Sequence, residues 1–178
     1  MNDLLKSAKA IEETIVKDRR TIHQNPELGN DLPQTTRYIM DRLTEMGYEP
    51  KEICKSGVVA TVGKPGKTIL LRADTDALRM PEKSGHDTHA AMLLGAAKLL
   101  KDRENELCGT VKLMFQPAEE ILAGAKAMID AGVLENPHVD AAVAIHISSV
   151  TQPAGFVGFT KGGSHGSADK FVITVKGK

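Results

Sequence analysis

Two adjacent carboxylates, Glu119 and Glu120, are the residues of this chain best placed to do chemistry. The run before them, residues 110–115, is apolar at most positions and reads as a buried strand, and residues 123–131 read as a helix closed by Gly132. The pair thus stands at a strand exit just ahead of a helix, the edge where open α/β sheets bind ligands. Like charges side by side repel, and a cation is one compensation. The alternative is an acidic first helical turn in solvent, favoured by the helix dipole. Asp74 and Asp76, in Arg72-Ala73-Asp74-Thr75-Asp76, close a second strand-like run at residues 68–71. They point either to the same sheet edge or to a turn in which Asp side chains bond nearby amides. His86 is expected in a loop just before a helix at residues 90–100, with Asp87 or Thr88 as its cap. His89, three residues on, can share its face. His146 ends the apolar run 139–147, where a polar imidazole needs a partner. With two glutamates on a neighbouring strand end, a metal ion is the favoured partner.

The elements around these residues follow from periodicity. Leu4, Leu5, Ala8, Ile11, Ile15 and Ile22 fall at helical spacing and predict one amphipathic helix, broken by Pro26 and Gly29, with His23 a polar residue at its end. Pro33 opens a second helix through Met46, with Gly47 as its stop. Residues 58–62 and 68–71 read as strands around the turn Gly63-Lys64-Pro65-Gly66. A further strand is expected at residues 155–160. A Gly/Ser-rich linker at 162–167 then leads to a half-buried strand at 169–175, with Phe171, Ile173 and Val175 on one face. That linker divides the chain into residues 1–163 and the start of something new at 164–178.

Bulk properties narrow the function classes. The 178 residues carry 23 Lys+Arg against 23 Asp+Glu, so no field draws nucleic acid or anionic membrane. Aromatics are 3% and Trp is absent, which makes the core aliphatic and leaves little for base stacking. Cys54 and Cys108 fit free thiols in a reducing compartment better than a disulfide. The charged first twenty residues lack a secretory apolar region, and no window reaches the roughly 18 apolar residues of a membrane span. A cytoplasmic protein with no nucleic-acid and no membrane partner is expected.

The motifs Arg20…His23-Gln24-Asn25-Pro26-Glu27-Leu28-Gly29, Leu71-Arg72-Ala73-Asp74-Thr75-Asp76-Ala77-Leu78, Gly85-His86-Asp87-Thr88-His89 and Phe115-Gln116-Pro117-Ala118-Glu119-Glu120, then a strand ending in His146, occur in that order. Together they resemble the amidohydrolase branch of the dinuclear-metal aminoacylase/carboxypeptidase clan. That branch includes hippurate hydrolases, N-acyl-amino-acid amidohydrolases, N-acetyl-diaminopimelate deacetylases and plant auxin-conjugate hydrolases. The resemblance, from Arg20 to the last residue, implies an α/β catalytic domain with a mixed, largely parallel sheet flanked by helices. It also implies an inserted α+β lid or dimerisation domain, whose first strand would hold Asp169. Two divalent ions (zinc, manganese, nickel or cobalt) and a homodimer are implied as well. The substrate would be a small N-acyl amino acid or peptide-like conjugate, cleaved at its amide bond by a metal-activated water. Matched by motif, Glu119 is the general base, and His86, Glu120 and His146 are metal ligands. Asp76 and Asp87 stand just behind the ligands, and Asp74 is not assigned.

The chain also departs from that pattern. The family's metal loop reads His-Ala-Cys-Gly-His-Asp, and its Cys can bridge the ions; here Ser84 stands at that position. A neutral serine is a poor substitute for a thiolate. Residues 81–85 read like the start of the loop that precedes this motif, as if the loop with its Cys were cut out. The family's later Gly-Gly-His segment and its last metal-ligating His have no counterpart here. The expectation is an active hydrolase as parent, with the chain as written inactive and holding one ion. The alternative is a non-catalytic relative that keeps the fold and at most one metal.

Overall fold

The apolar stripe at the N-terminus forms two helices, not one: α1 (Asn2–Ala10) and α2 (Glu12–Gln24). Ile11 between them leaves helical geometry at φ −105°, ψ 8°. A β-branched residue gives up little there, and Glu12 and Glu13 open a fresh acidic first turn. In this computed structural model the described residues are 2–77, 85–147, 153, 155–159, 161–163 and 171–177. They belong to two compact units, Met1–Ile147 and Ser148–Lys178.

In the first unit α3 (Pro33–Glu45), β1 (Lys51–Cys54), β2 (Gly57–Gly63) and β3 (Thr68–Asp74) follow. Then come α4 (His86–Asp102), a 3₁₀ turn (Glu104–Glu106), β4 (Thr110–Gln116), α5 (Gly124–Asp130) and β5 (Ala141–Ala144). The strands form one sheet in the order β1-β2-β4-β3-β5. The β1–β2 and β2–β4 pairings are antiparallel; β3–β4 and β3–β5 are parallel. This is the mixed α/β sheet flanked by helices that the sequence implies. β1 has no apolar alternation to announce it and was not expected.

Side chains alternate between the two faces of the sheet, as strand geometry requires. Val58, Ala60, Val62, Leu113 and Phe115 point to the face covered by Ile22, Ile39, Leu43, Leu94 and Ala97. Met114 and Leu70 point the other way, to Met128 and Val133. Lys112 shares that second face. It is 3% exposed, and its ammonium donates to the carbonyls of Val133, Glu135 and Pro137, each at 2.8 Å.

Polar contacts fasten the helices. Asp18 of α2 is buried and accepts from Tyr38 Oη (2.6 Å) and Arg42 Nε (3.0 Å) of α3. The chain has two tyrosines. Burial, followed by the Asp18 hydrogen bond, pushes Tyr38 up to about 12. Burial also pushes up Tyr48, whose hydroxyl donates to Ala97 O at 2.8 Å. The folded chain is therefore expected to show little tyrosinate absorbance near pH 10, where an unperturbed phenol at about 10 is half ionised. The folded value of Tyr38 lies above the unfolded one. Its stabilisation is thus complete below about pH 10 and is lost as the pH rises through about 12. Half-ionisation of both phenols near pH 10 in a folded sample would contradict this packing.

The start of α3 is capped at long range. Leu32 at the N-cap has no acceptor, but the Glu27 carboxylate takes the amides of Gln34 (3.2 Å) and Thr35 (2.8 Å). Glu27→Ala is expected to cost about 1 kcal/mol, measured by urea unfolding.

In the second unit the expected strands are not found among the described residues. Residues 155–159 and 171–177 carry no strand, and residues 160 and 164–170, with Asp169, lie outside the described set. A strand exists through its ladder and a face to bury. Phe171, Ile173 and Val175 are each at least 85% exposed, so the alternation meets no surface there. No described helix in either unit is long and apolar enough to cross a membrane.

Candidate metal centre

β3, β4 and β5 run parallel, so their C-terminal ends share one edge of the sheet. Asp74 at the end of β3 is level with Gln116 at the end of β4. The strand exits deliver two acids from β3, two from β4 and one imidazole from β5, while α4 starts against them.

The β4 exit is a strained, tightly tied turn. Ala118 (φ 54°) and Leu122 (φ 55°) both adopt left-handed backbone without being glycine, and they bracket Glu119 and Glu120. Ala118 donates its amide to Gly29 O and accepts from the amides of Ala123 and Gly124. Gly124 cannot be larger, because a Cβ would lie 1.6 Å from Pro117 O. Asp76, fully buried, takes the amides of both glutamates, Glu119 at 3.1 Å and Glu120 at 3.4 Å. Burial raises the Asp76 carboxyl, against the lowering effect of those amides.

α4 begins one turn earlier than expected. His86 is its first residue, not part of a loop, and Gly85 (φ 77°) is the N-cap with no side-chain cap. Asp87 is not a cap either. Its carboxylate pairs with Arg19 Nε at 2.7 Å and His23 Nδ1 at 3.1 Å, which locks the start of α4 to α2. His23 thereby gains a partner that its sequence context did not suggest.

Four acids and three imidazoles converge above this edge. His86 Nδ1 lies 2.8 Å from Asp76 O. A carbonyl only accepts, so Nδ1 carries a proton, and Nε2 faces the carboxylates. His86 Nε2 lies 3.6 Å from Glu120 Oε1, 3.8 Å from Glu119 Oε2 and 3.9 Å from Asp74 Oδ1. His146 likewise directs Nδ1 at a carbonyl, that of Ile147, at 2.6 Å. Its ring centroid is 6.0 Å from that of His86.

Among the described residues two groups have ligand atoms within 4.8 Å of one another: His86 with Glu119 and Glu120, and His86 with His89 and His146. His89 belongs to the second by distance but not by chemistry. Its Nδ1 meets Asp74 Oδ1 at 2.5 Å and its Nε2 meets the Ile147 amide at 3.0 Å, so its lone pair is already engaged. Burial pushes the Glu120 carboxyl up, and Glu119, Asp76 and Asp74 add to this against the opposing effect of His86. Burial would raise Asp74 too, but the His89 hydrogen bond and the Arg72 guanidinium outweigh it and hold that carboxyl down. Such crowding of carboxylates is relieved by a divalent cation, and imidazole with carboxylate donors suits zinc, manganese, cobalt or nickel. The donor set fits a metal ion.

Of the sequence-derived candidates, His86 is brought together with Glu119 and Glu120 and also with His146, and Asp76 is bonded beneath the glutamates. Asp87 faces α2. Ser84 lies outside the described residues. The part of His89 was missed, although its position one helical turn from His86 in an Ala/Leu-rich helix was a usable signal.

A family model described as Peptidase family M20/M25/M40 matches residues 70–174. "Thermostable carboxypeptidase 2" of Saccharolobus solfataricus is 42% identical over 98% of this chain and 49% of that protein. "N-acetylcysteine deacetylase" of Bacillus subtilis is 37% identical over 96% of this chain and 49% of that protein. Among solved structures, Bacillus subtilis YXEP, described as a dinuclear metal binding peptidase from the M20 family, is similar. Its TM-score is 0.72 at 37% identity, over 79% of this chain and 44% of that one. The chain spans about half the length of these relatives. The alignment with the carboxypeptidase is 200 residues long, longer than the 178-residue chain, so the relative carries residues within the aligned stretch that this chain lacks. The family model covers more than half of the chain, and a solved structure 37% identical to it shares its fold: the chain belongs to peptidase family M20/M25/M40.

Proposed function

We propose that the chain carries the metal-binding part of a hydrolase that cleaves the amide bond of N-acyl amino acids or small peptide-like conjugates. One observation supports this most directly. His86 and His146 each commit Nδ1–H to a backbone carbonyl, which orients Nε2 toward an ion, and the Nε2 of His86 lies beside the Glu119–Glu120 pair. In this reading His86, Glu120 and His146 hold an ion, and the family resemblance calls for a second. When bound, a divalent ion supplies a Lewis acid for the scissile carbonyl and lowers the pKa of water from 15.7 to about 7. Glu119 takes the proton of the attacking water and delivers it to the leaving nitrogen. Asp76 fixes the spacing of the two glutamates through their amides, and the Arg19–Asp87–His23 cluster holds α4 in place. Residues 1–163 would form the catalytic part and residues 164–178 the start of a lid through which two copies pair.

The test is equilibrium dialysis of the 178-residue chain against zinc. About one ion per chain is expected, since three protein ligands make a zinc site. The ion is lost in His86→Ala and in His146→Ala, and a chain that takes up no metal overturns the reading. Ser84 in place of a thiolate favours a second reading, a non-catalytic member with a single ion. Ser84→Cys separates the two. Under the enzyme reading it raises bound zinc toward two; under the other it leaves one ion bound.

A further inference from the structure

β5 ends at Ala144, so no sheet ladder holds the backbone that carries His146. What holds it is a side chain from α4. The Ile147 amide donates to His89 Nε2 at 3.0 Å, and the Ile147 carbonyl takes the Nδ1–H of His146 at 2.6 Å. One bond fixes the peptide before Ile147 and the other uses the peptide after it, so the placement of Ile147 sets the direction of the His146 ring. The Ile147 side chain is seated as well. A Cβ on Gly85 would lie 2.1 Å from Ile147 Cδ1, so a larger residue there would push the Ile147 side chain aside.

His89 is itself fixed from behind. It is 2% exposed, one turn along α4 from His86, with its ring 5.4 Å from that of His86 and 4.4 Å from that of His146. Its partners leave one tautomer. The Asp74 carboxylate at 2.5 Å can only accept, so Nδ1 carries the proton. The Ile147 amide can only donate, so Nε2 carries the lone pair and spends it there. Asp74, fully buried at the end of β3, is anchored in turn by Arg72 Nη1 at 2.7 Å.

We propose that His89 is a positioning residue that transmits the fixed location of Asp74 to the Ile147 peptide and so aims His146 at the ion, without being a ligand itself. The series Arg72–Asp74–His89–Ile147–His146 ties the exit of the central strand β3 to the otherwise unladdered exit of β5. This rests on the metal-binding reading above and deepens it, because it states which of three clustered imidazoles does not coordinate.

Zinc affinity of the full chain, by competition with a chromophoric chelator, tests the idea through His89→Ala and His89→Gln. A glutamine amide offers one donor and one acceptor on a single trigonal carbon, matching what Asp74 and Ile147 require. His89→Ala is expected to weaken zinc binding 10- to 100-fold, the usual loss when a residue supporting a ligand is removed. His89→Gln is expected to recover most of that loss. Equal losses in both variants would make His89 a ligand and overturn the proposal, as would unchanged affinity in His89→Ala. A wild-type chain that binds no zinc defeats the metal reading itself, and the proposal with it. A second measurement needs no variant and stands even if His89→Ala fails to fold. Long-range ¹H–¹⁵N spectra of the wild-type imidazoles should show zinc shifting Nε2 of His86 and His146, while His89 keeps its Nδ1 proton and its Nε2 position. A zinc-dependent shift of His89 Nε2 matching the other two overturns the proposal.

Discussion

Glu120→Gln is expected to empty the metal site, whereas Glu119→Gln leaves the ion bound and removes turnover. Distance does not separate the two carboxylates, which lie 3.6 Å and 3.8 Å from His86 Nε2. In the function proposed above, motif position does, giving Glu120 to the ion and Glu119 to the proton. The substitutions test this cleanly because Asp76 holds this turn through the backbone amides of both residues, which a Glu→Gln change leaves in place. Losing a direct ligand should exceed the 10- to 100-fold loss seen for supporting residues, so zinc affinity in Glu120→Gln should fall by more than about 100-fold. Losing a general base costs about 10²- to 10⁴-fold in rate, so Glu119→Gln in the metal-loaded hydrolase should fall in that range at unchanged metal content. Equal zinc loss in the two variants would make both residues ligands and place the base elsewhere.

Lys112→Met should be strongly destabilising although it lies away from the metal centre. The Lys112 ammonium is enclosed beneath the segment that follows α5 and takes three carbonyls at 2.8 Å each. Burial pushes its pKa down and Glu135 opposes this. A neutral amine has two N–H groups for three acceptors, so the network works against deprotonation. Methionine fills much of the volume but leaves all three carbonyls bare. Each bare buried acceptor costs about 1–3 kcal/mol, and those of Glu135 and Pro137, only part-buried, can recover water. A net loss of about 3 kcal/mol is expected, or about 6–12 °C in Tm for a protein of this size. The control is Lys126→Met. That side chain is 78% exposed and pairs with Asp130 one helical turn on, so a change within about 0.5 kcal/mol is expected. Equal melting shifts in the two variants would show that the Lys112 network contributes nothing.

Local patterns that are strong in the sequence are also strong in the fold, and patterns that depend on distant neighbours are not. The apolar run leading to Phe115 is β4, and the alternation from Val58 is β2, because one face of each buries against α2, α3 and α4. The site candidates converge because parallel strands end together, a consequence of topology that sequence order alone suggests. Lys112 inside an apolar strand was a visible anomaly, yet its partners lie more than 20 residues away, beyond any local rule. The same holds for His23 reaching Asp87, and Glu27 caps α3 from outside the helix, where no N-cap pattern points. The helix break at Ile11 was hidden because the apolar period runs through it unchanged. Residues 171–175 fail in the opposite sense: their alternation is clear, but nothing among the described residues covers either face.

The turn after β4 and the exit of β5 share one property with a practical consequence. The amides of Glu119, Glu120 and Ile147 are held by side chains, Asp76 and His89, and not by strand ladders. Their hydrogen exchange therefore reports opening of the centre separately from opening of the sheet, whose β4 amides answer to deeper unfolding. An ion that binds only the closed centre stabilises it by RT ln(1 + [L]/Kd). Exchange at these three amides should slow as metal is added, well before the strand amides respond. The protein thus carries three native gauges of its own metal occupancy.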